Sequence, residues 1–175
     1  MTAVVIGVGN EYRRDDGIGP AVAERLRRHV PPGVEVVTTD GEPARVLDAW
    51  TGRHTAVVVD AVVCTGSTPG RVHRLAVDEI PRGTKENSSH GLGIPEAVEL
   101  ARALDRLPVH LVLYTVEVTD TGYGTGLSPP VASAIPDIVA AVLAELTPGD
   151  RTTSGGDVAT SSSGSPSGPP SPPCQ

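Results

Sequence analysis

The feature that most constrains this chain is an alternation. Short valine-rich runs, AVVIGV (3–8), VEVVTT (34–39), TAVVVDAVV (55–63) and VHLVLYTV (109–116), are separated by stretches of helical period. Apolar runs of this length, rich in β-branched residues, suit strands buried on both faces. Between the first two, Ile18, Val22, Leu26 and Val30 recur every four residues and mark a helix with one apolar face. Ile94, Ala97, Val98, Ala101 and Leu104 mark another, and Val131, Ile135, Ile138, Val142 and Leu146 the last. A shorter helix is expected over 43–50, and GRVHRL (70–75) reads as an additional strand at an edge. Strands alternating with helices predict the α/β class, a three-layer α/β/α sandwich around a mostly parallel sheet. Such sheets bind ligands beyond the carboxyl ends of their strands, so the loops there are where chemistry is expected.

Composition narrows the function classes. The 175 residues, 38% of them hydrophobic, suffice for one compact domain, which we expect over 1–148. From 149 to 175 the chain reads GDRTTSGGDVATSSSGSPSGPPSPPCQ, with little apolar surface to offset ordering, and a disordered tail is expected. A net charge of −7 and a single lysine, Lys85, give no basic stripe, which argues against nucleic acid as a partner. With 2% aromatic residues and no phenylalanine, the core must be aliphatic. No leader or long uninterrupted apolar run is visible, so the expectation is a soluble, cytoplasmic monomer without a membrane partner. Cys64 and Cys174 fall in the domain and the tail. Their placement predicts no disulfide framework and suits a reducing compartment, with Cys64 a small buried apolar residue.

The loop after the first run, GVGNEYRRDDGIGP (7–20), suggests at first a phosphate-cradling glycine loop. The Gly-x-Gly-x-x-Gly pattern fails at Tyr12, and Asp15 and Asp16 stand where the next helix begins. Two carboxylates there compete for the helix amides and repel a pyrophosphate. An aspartate at that point can also simply cap the helix. Two further residues bear on the choice: Asp60 ends the run VVVD, and His90 follows TKENSS before a helix expected to begin near Gly91. If Asp16, Asp60 and His90 converge at one rim, two carboxylates and one imidazole suit Zn²⁺ or Ni²⁺, with positions left open for water or substrate. His29, His54, His73 and His110 read as surface or packing residues.

Taken in order, GVGNEYRRDDGIGP, VVVDAV, SSHGLG and LSPPV (127–131) make the chain similar to the nickel-iron hydrogenase maturation endopeptidases, over about residues 3 to 146. The resemblance implies a five-stranded twisted sheet. It also implies a protease that removes a short C-terminal extension from the hydrogenase large-subunit precursor once nickel is inserted. By the same resemblance Asp16, Asp60 and His90 are the metal-contacting and catalytic residues, the divalent metal being nickel supplied by the substrate. Two departures stand out: Glu42 follows Asp40 and Gly41 where a second glycine is frequent, and Val118 follows Glu117 where proline is expected. Two routes of cleavage stay open, a carbonyl or water polarised by the metal, or a carboxylate such as Asp16 acting as general base. Gly9 and Asn10 are candidate hydrogen-bond donors to the scissile carbonyl, and a plain turn role is equally open to them. Two other classes remain: a non-catalytic nickel-site binding or chaperone module of the same fold, and a nucleotide- or phosphate-binding enzyme.

Overall fold

The computed structural model describes residues 2–80 and 93–147. In chain order these form β1 (Ala3–Val8), a single 3-10 turn (Arg14–Gly17), α1 (Ile18–Leu26), β2 (Val34–Thr39), α2 (Pro43–Trp50) and β3 (Thr55–Val63). There follow β4 (Val72–Ala76), α3 (Ile94–Ala103), β5 (His110–Val118) and α4 (Pro129–Leu146). The sheet order is β2-β1-β3-β5-β4. Its first four strands run parallel, and β4 closes the edge antiparallel to β5. The mostly parallel five-stranded sheet is therefore the one expected.

Strand alternation divides the core in two. Val4, Ile6, Val8, Ala56, Val58, Leu111 and Leu113 pack with Val46, Leu47 and Trp50 of α2 and with Ile94, Ala97, Val98 and Ala101 of α3. Val5, Val57, Val59, Val112, Tyr114 and Val116 pack with Ile18, Val22 and Leu26 of α1 and Val131, Ile138 and Val142 of α4. Because β1 is buried along its whole length, it tolerates no polar alternation, which is why its sequence reads as one apolar run. α4 is long and apolar enough to cross a membrane by length and composition, a match the sequence reading did not register; here its apolar stripe lies on the sheet.

Three boundaries moved for physical reasons. α1 stops at Leu26, a turn before Val30, because Pro31 and Pro32 follow and a residue preceding proline is pushed out of the helical region. The amides of His29 and Val30 both donate to Leu26 O, at 2.8 and 3.0 Å, and Val30 still packs on the same core. β5 runs on to Val118, which pairs with Val63, so valine in place of proline lets the strand continue. The edge strand begins two residues late, at Val72, since Gly70 takes a positive φ of 87° and its amide donates to Glu117 O at 2.9 Å. The start expected for α3 near Gly91, His90 itself, and the tail from 149 all lie outside the described residues.

Candidate active site

Asp60 sits at a step in the sheet. β1 pairs with β3 only as far as Gly7 and Val59, whereas β3 and β5 continue together to Val63 and Val118. Asp60 is thus the first residue of β3 beyond the cover of β1. From β1 the chain turns outward through α1 to β2, then crosses through α2 on the opposite face to β3. The boundary between β1 and β3 is where the winding reverses, the place at which α/β sheets open a crevice.

The loop after β1 folds down onto this step because three glycines allow it. A Cβ on Gly19 would lie 2.1 Å from Val8 O and 2.7 Å from Val59 O, and one on Gly7 would lie 2.3 Å from Gly19 O. Gly9 has φ 139°, and a Cβ there would meet Asp16 O at 1.9 Å. These glycines serve backbone contact between the first turn of α1 and the ends of β1 and β3; they are not arranged around an anion.

The contact delivers Asp16 to Asp60. Asp16 is partly buried, and its Oδ2 accepts the Asn10 amide at 2.9 Å. The Asp60 carboxyl is pushed up from the usual 3.8 to about 7, by burial first and by the negative charge of Asp16 second, against a lowering hydrogen bond from the Ala61 backbone. Two like charges crowded at a half-shielded crevice are a standing electrostatic cost that a cation between them removes. The donor set fits a divalent ion in that respect. Among the described residues no third His, Cys, Asp or Glu joins them at metal-binding spacing, and His90 lies outside those residues.

Asp15 has a different task from its neighbour. It is fully buried, with Oδ1 accepting the Ser128 amide at 2.6 Å and Oδ2 accepting the Ser128 hydroxyl at 2.8 Å. Its own amide donates to Asp120 O at 3.0 Å. Asp15 therefore ties the site loop to the start of α4, and it does not cap α1. Ser128 opens that helix and Pro129 and Pro130 fill its first turn, which explains LSPPV.

Several sequence expectations need correction. The Gly9 amide donates to Thr39 O at 3.0 Å and the Asn10 amide to Asp16, so both backbone donors hold the loop and neither is offered to a substrate carbonyl. Glu42 caps α2, accepting the amides of Ala44 at 3.2 Å and Arg45 at 3.0 Å, a role glycine has no side chain to fill. His73 is more than a surface residue: its Nε2 bonds Glu117 Oε1 at 2.7 Å. Glu117 also accepts the Thr68 amide at 2.5 Å, and Arg71 stands at 4.0 Å. The bond from His73, then that from Thr68, holds the buried Glu117 carboxyl below its usual range. Cys64 lies just past the end of β3 and is half-buried, where a fully buried apolar residue was expected.

Comparison with known proteins identifies the family and the fold. Residues 20–145 match the family model described as hydrogenase maturation protease, a span that includes Asp60 and starts just after Asp16. The hydrogenase expression/formation protein HupD of Bradyrhizobium diazoefficiens is 34% identical over 149 residues, covering 81% of this chain and 78% of that protein. The hydrogenase 2 maturation protease of Escherichia coli is 29% identical over 149 residues, covering 83% of this chain and 91% of its own. Among solved structures, an endopeptidase from Escherichia coli superposes with a TM-score of 0.75 at 30% identity, covering 83% of this chain and 92% of that one. The hydrogenase maturating endopeptidase HybD from Escherichia coli gives 0.72 at 29% identity with the same coverage. A peptidase fold with two carboxylates set at its switch point, matched over most of its length, places this chain in the hydrogenase maturation protease family.

Proposed function

We propose that this peptidase removes the C-terminal extension of a nickel-iron hydrogenase large-subunit precursor after nickel has been inserted. In this reading Asp16, Asp60 and His90 contact the nickel of the precursor and carry the cleavage. The observation that supports it most is the apposition of Asp16 and Asp60 at the crevice between β1 and β3. Carboxylate oxygens are harder donors than thiolates, so cysteines of the precursor would hold nickel more firmly than the protease does. The protease then samples the metal without removing it, and a precursor lacking nickel presents nothing for the two carboxylates to share. A bound divalent ion supplies positive charge at the crevice; this chain supplies the oxygen ligands, the loop that aims them and the shelter of β3 and β5. The proposed setting is the cytoplasm, with the protease acting as a monomer.

Incubation of the protein with nickel-loaded cognate precursor, followed by sequencing of the released fragment, tests the reading. One defined C-terminal peptide is expected. Stable binding of the precursor without release of any peptide would instead identify a non-catalytic chaperone of the same fold.

A further inference from the structure

Half of this chain's aromatic residues are exposed on two loops, one of which also carries Asp16. The chain has three tyrosines, one tryptophan and no phenylalanine. Trp50 and Tyr114 are buried, whereas Tyr12 is 63% exposed and Tyr123 is 94% exposed. Single exposed apolar residues need no explanation. These two, however, occupy two loops that are stitched together, and the one that carries Tyr12 also carries Asp16.

The stitching is specific. The Gly124 amide donates to Tyr12 O at 2.9 Å, the Arg14 amide to Gly124 O at 2.9 Å, and the Asp15 amide to Asp120 O at 3.0 Å. Arg13 and Gly124 pair as an isolated parallel bridge. Asp120 Oδ1 accepts the Gly122 amide at 3.1 Å and closes the turn that carries Tyr123. Gly124 has φ 142°, with the Arg14 side chain so close that an added Cβ would lie 3.3 Å from Arg14 Nε. Both rings are therefore presented on backbone that is already fixed, which lowers the ordering cost of binding. Between the same loops opens a cleft of about 350 Å³, lined in part by Arg14, Asp120, Leu127 and Ser128. Tyrosine offers a large amphipathic contact area for the loss of few rotatable bonds, and aromatic anchors of this kind carry a disproportionate share of interface energy.

We propose that Tyr12 and Tyr123 form a docking platform for the extended segment of the precursor that flanks the scissile bond, and that they set substrate affinity. The inference rests on the proposed maturation activity, because the occupant is the peptide leaving the crevice at Asp16. Continuity decides the occupant: the loop that carries Tyr12 also carries Asp16, and the loop that carries Tyr123 is bonded to it at Asp15, so a chain held at the carboxylates has these two loops beside it. Since both rings are exposed, removing them leaves the core untouched.

Steady-state cleavage of nickel-loaded precursor by Tyr12→Ala, Tyr123→Ala, the double variant and the two Phe variants tests the platform. Each alanine variant is expected to raise KM about tenfold with kcat within about twofold, the ratio typical of losing one interface anchor. Melting temperatures should not move, and the Phe variants should resemble the parent because the ring supplies the contact. Unchanged KM in the double alanine variant overturns the platform. If the parent protein cuts no precursor, the maturation reading fails on its own. Calorimetric titration with nickel-loaded precursor then decides the platform separately, equal Kd for parent and double variant overturning it and a weakened Kd supporting it.

Discussion

Two carboxyl groups near the same end of the sheet are driven in opposite directions, and their environments explain why. Asp60 gains burial and an anionic neighbour, so its carboxyl is raised to about 7. Glu117, almost fully buried, gains His73 and the Thr68 amide as partners, so its carboxyl is lowered. A raised carboxyl keeps its proton in the folded state over a range where the unfolded chain has released it. Asp60 therefore costs no stability below about pH 4, an increasing amount as pH rises towards about 7, and the full amount above. Asp60→Asn should raise the Tm of the metal-free protein by about 5 °C at pH 8 and leave it near the parent at pH 4. Equal shifts at the two pH values, read by calorimetric melting, would contradict the raised Asp60 carboxyl. Glu117 has the opposite sign: its stabilisation is present above the ordinary carboxylate range and is lost as pH falls through its lowered value. Glu117→Gln should cost about 1–3 kcal/mol at pH 7 in denaturant titrations, with a deficit that shrinks on acidification. A deficit independent of pH would show that the His73 bond contributes nothing through charge. The environment of Glu117 was not legible in the sequence. The pairing of His73 with Glu117 depends on β4 lying antiparallel beside β5, which periodicity does not specify.

At the scale of elements the reading was close, because strands buried on both faces and helices of strict period leave little freedom. The runs 3–8, 34–39 and 55–63 and the helix at 43–50 coincide with observed elements. What escaped were contacts that join loops distant in sequence, above all Asp15 with Ser128, 113 residues apart. Each motif was visible alone, but two polar residues on separate loops carry no sign that they bond one another. The glycines of the first loop were legible as a sharp turn, and the reason for them, contact between backbones, required the sheet. Gly19→Ala should thus act on the site as well as on stability. A methyl group 2.1 Å from Val8 O must push α1 away from β1 and β3, at a cost of about 3 kcal/mol or more. If folded protein is recovered, NMR titration should find the Asp60 carboxyl shifted back towards ordinary values as Asp16 withdraws. An unshifted Asp60 in a folded variant would mean that the loop is positioned by other contacts.

At the scale of the molecule, the sheet does one thing for function. It ends β1 before β3, so that the loop after β1 lowers Asp16 beside Asp60 at the winding switch. The fold followed from the alternation of strands and helices and the family from four ordered motifs, and the structure and the relatives agree on both. The sequence reading set Asp16 beside Asp60, and the negative charge of Asp16 is the second cause that raises the Asp60 carboxyl. His90 lies outside the described residues, so its place in the set belongs to the proposal. Asp16→Asn and His90→Ala are each expected to lower cleavage at least about a hundredfold while folding normally, as for loss of a group acting in the reaction. Full activity in the His90 variant, followed by gel shift of the precursor, would remove the imidazole from the site. The central claim is that the carboxylates read nickel in the substrate, and intact-mass spectrometry of the precursor tests it most directly. After incubation with the protease, the account predicts that nickel-loaded precursor loses its C-terminal extension while metal-free precursor keeps its full mass; equal cleavage of both, or of neither, would contradict it.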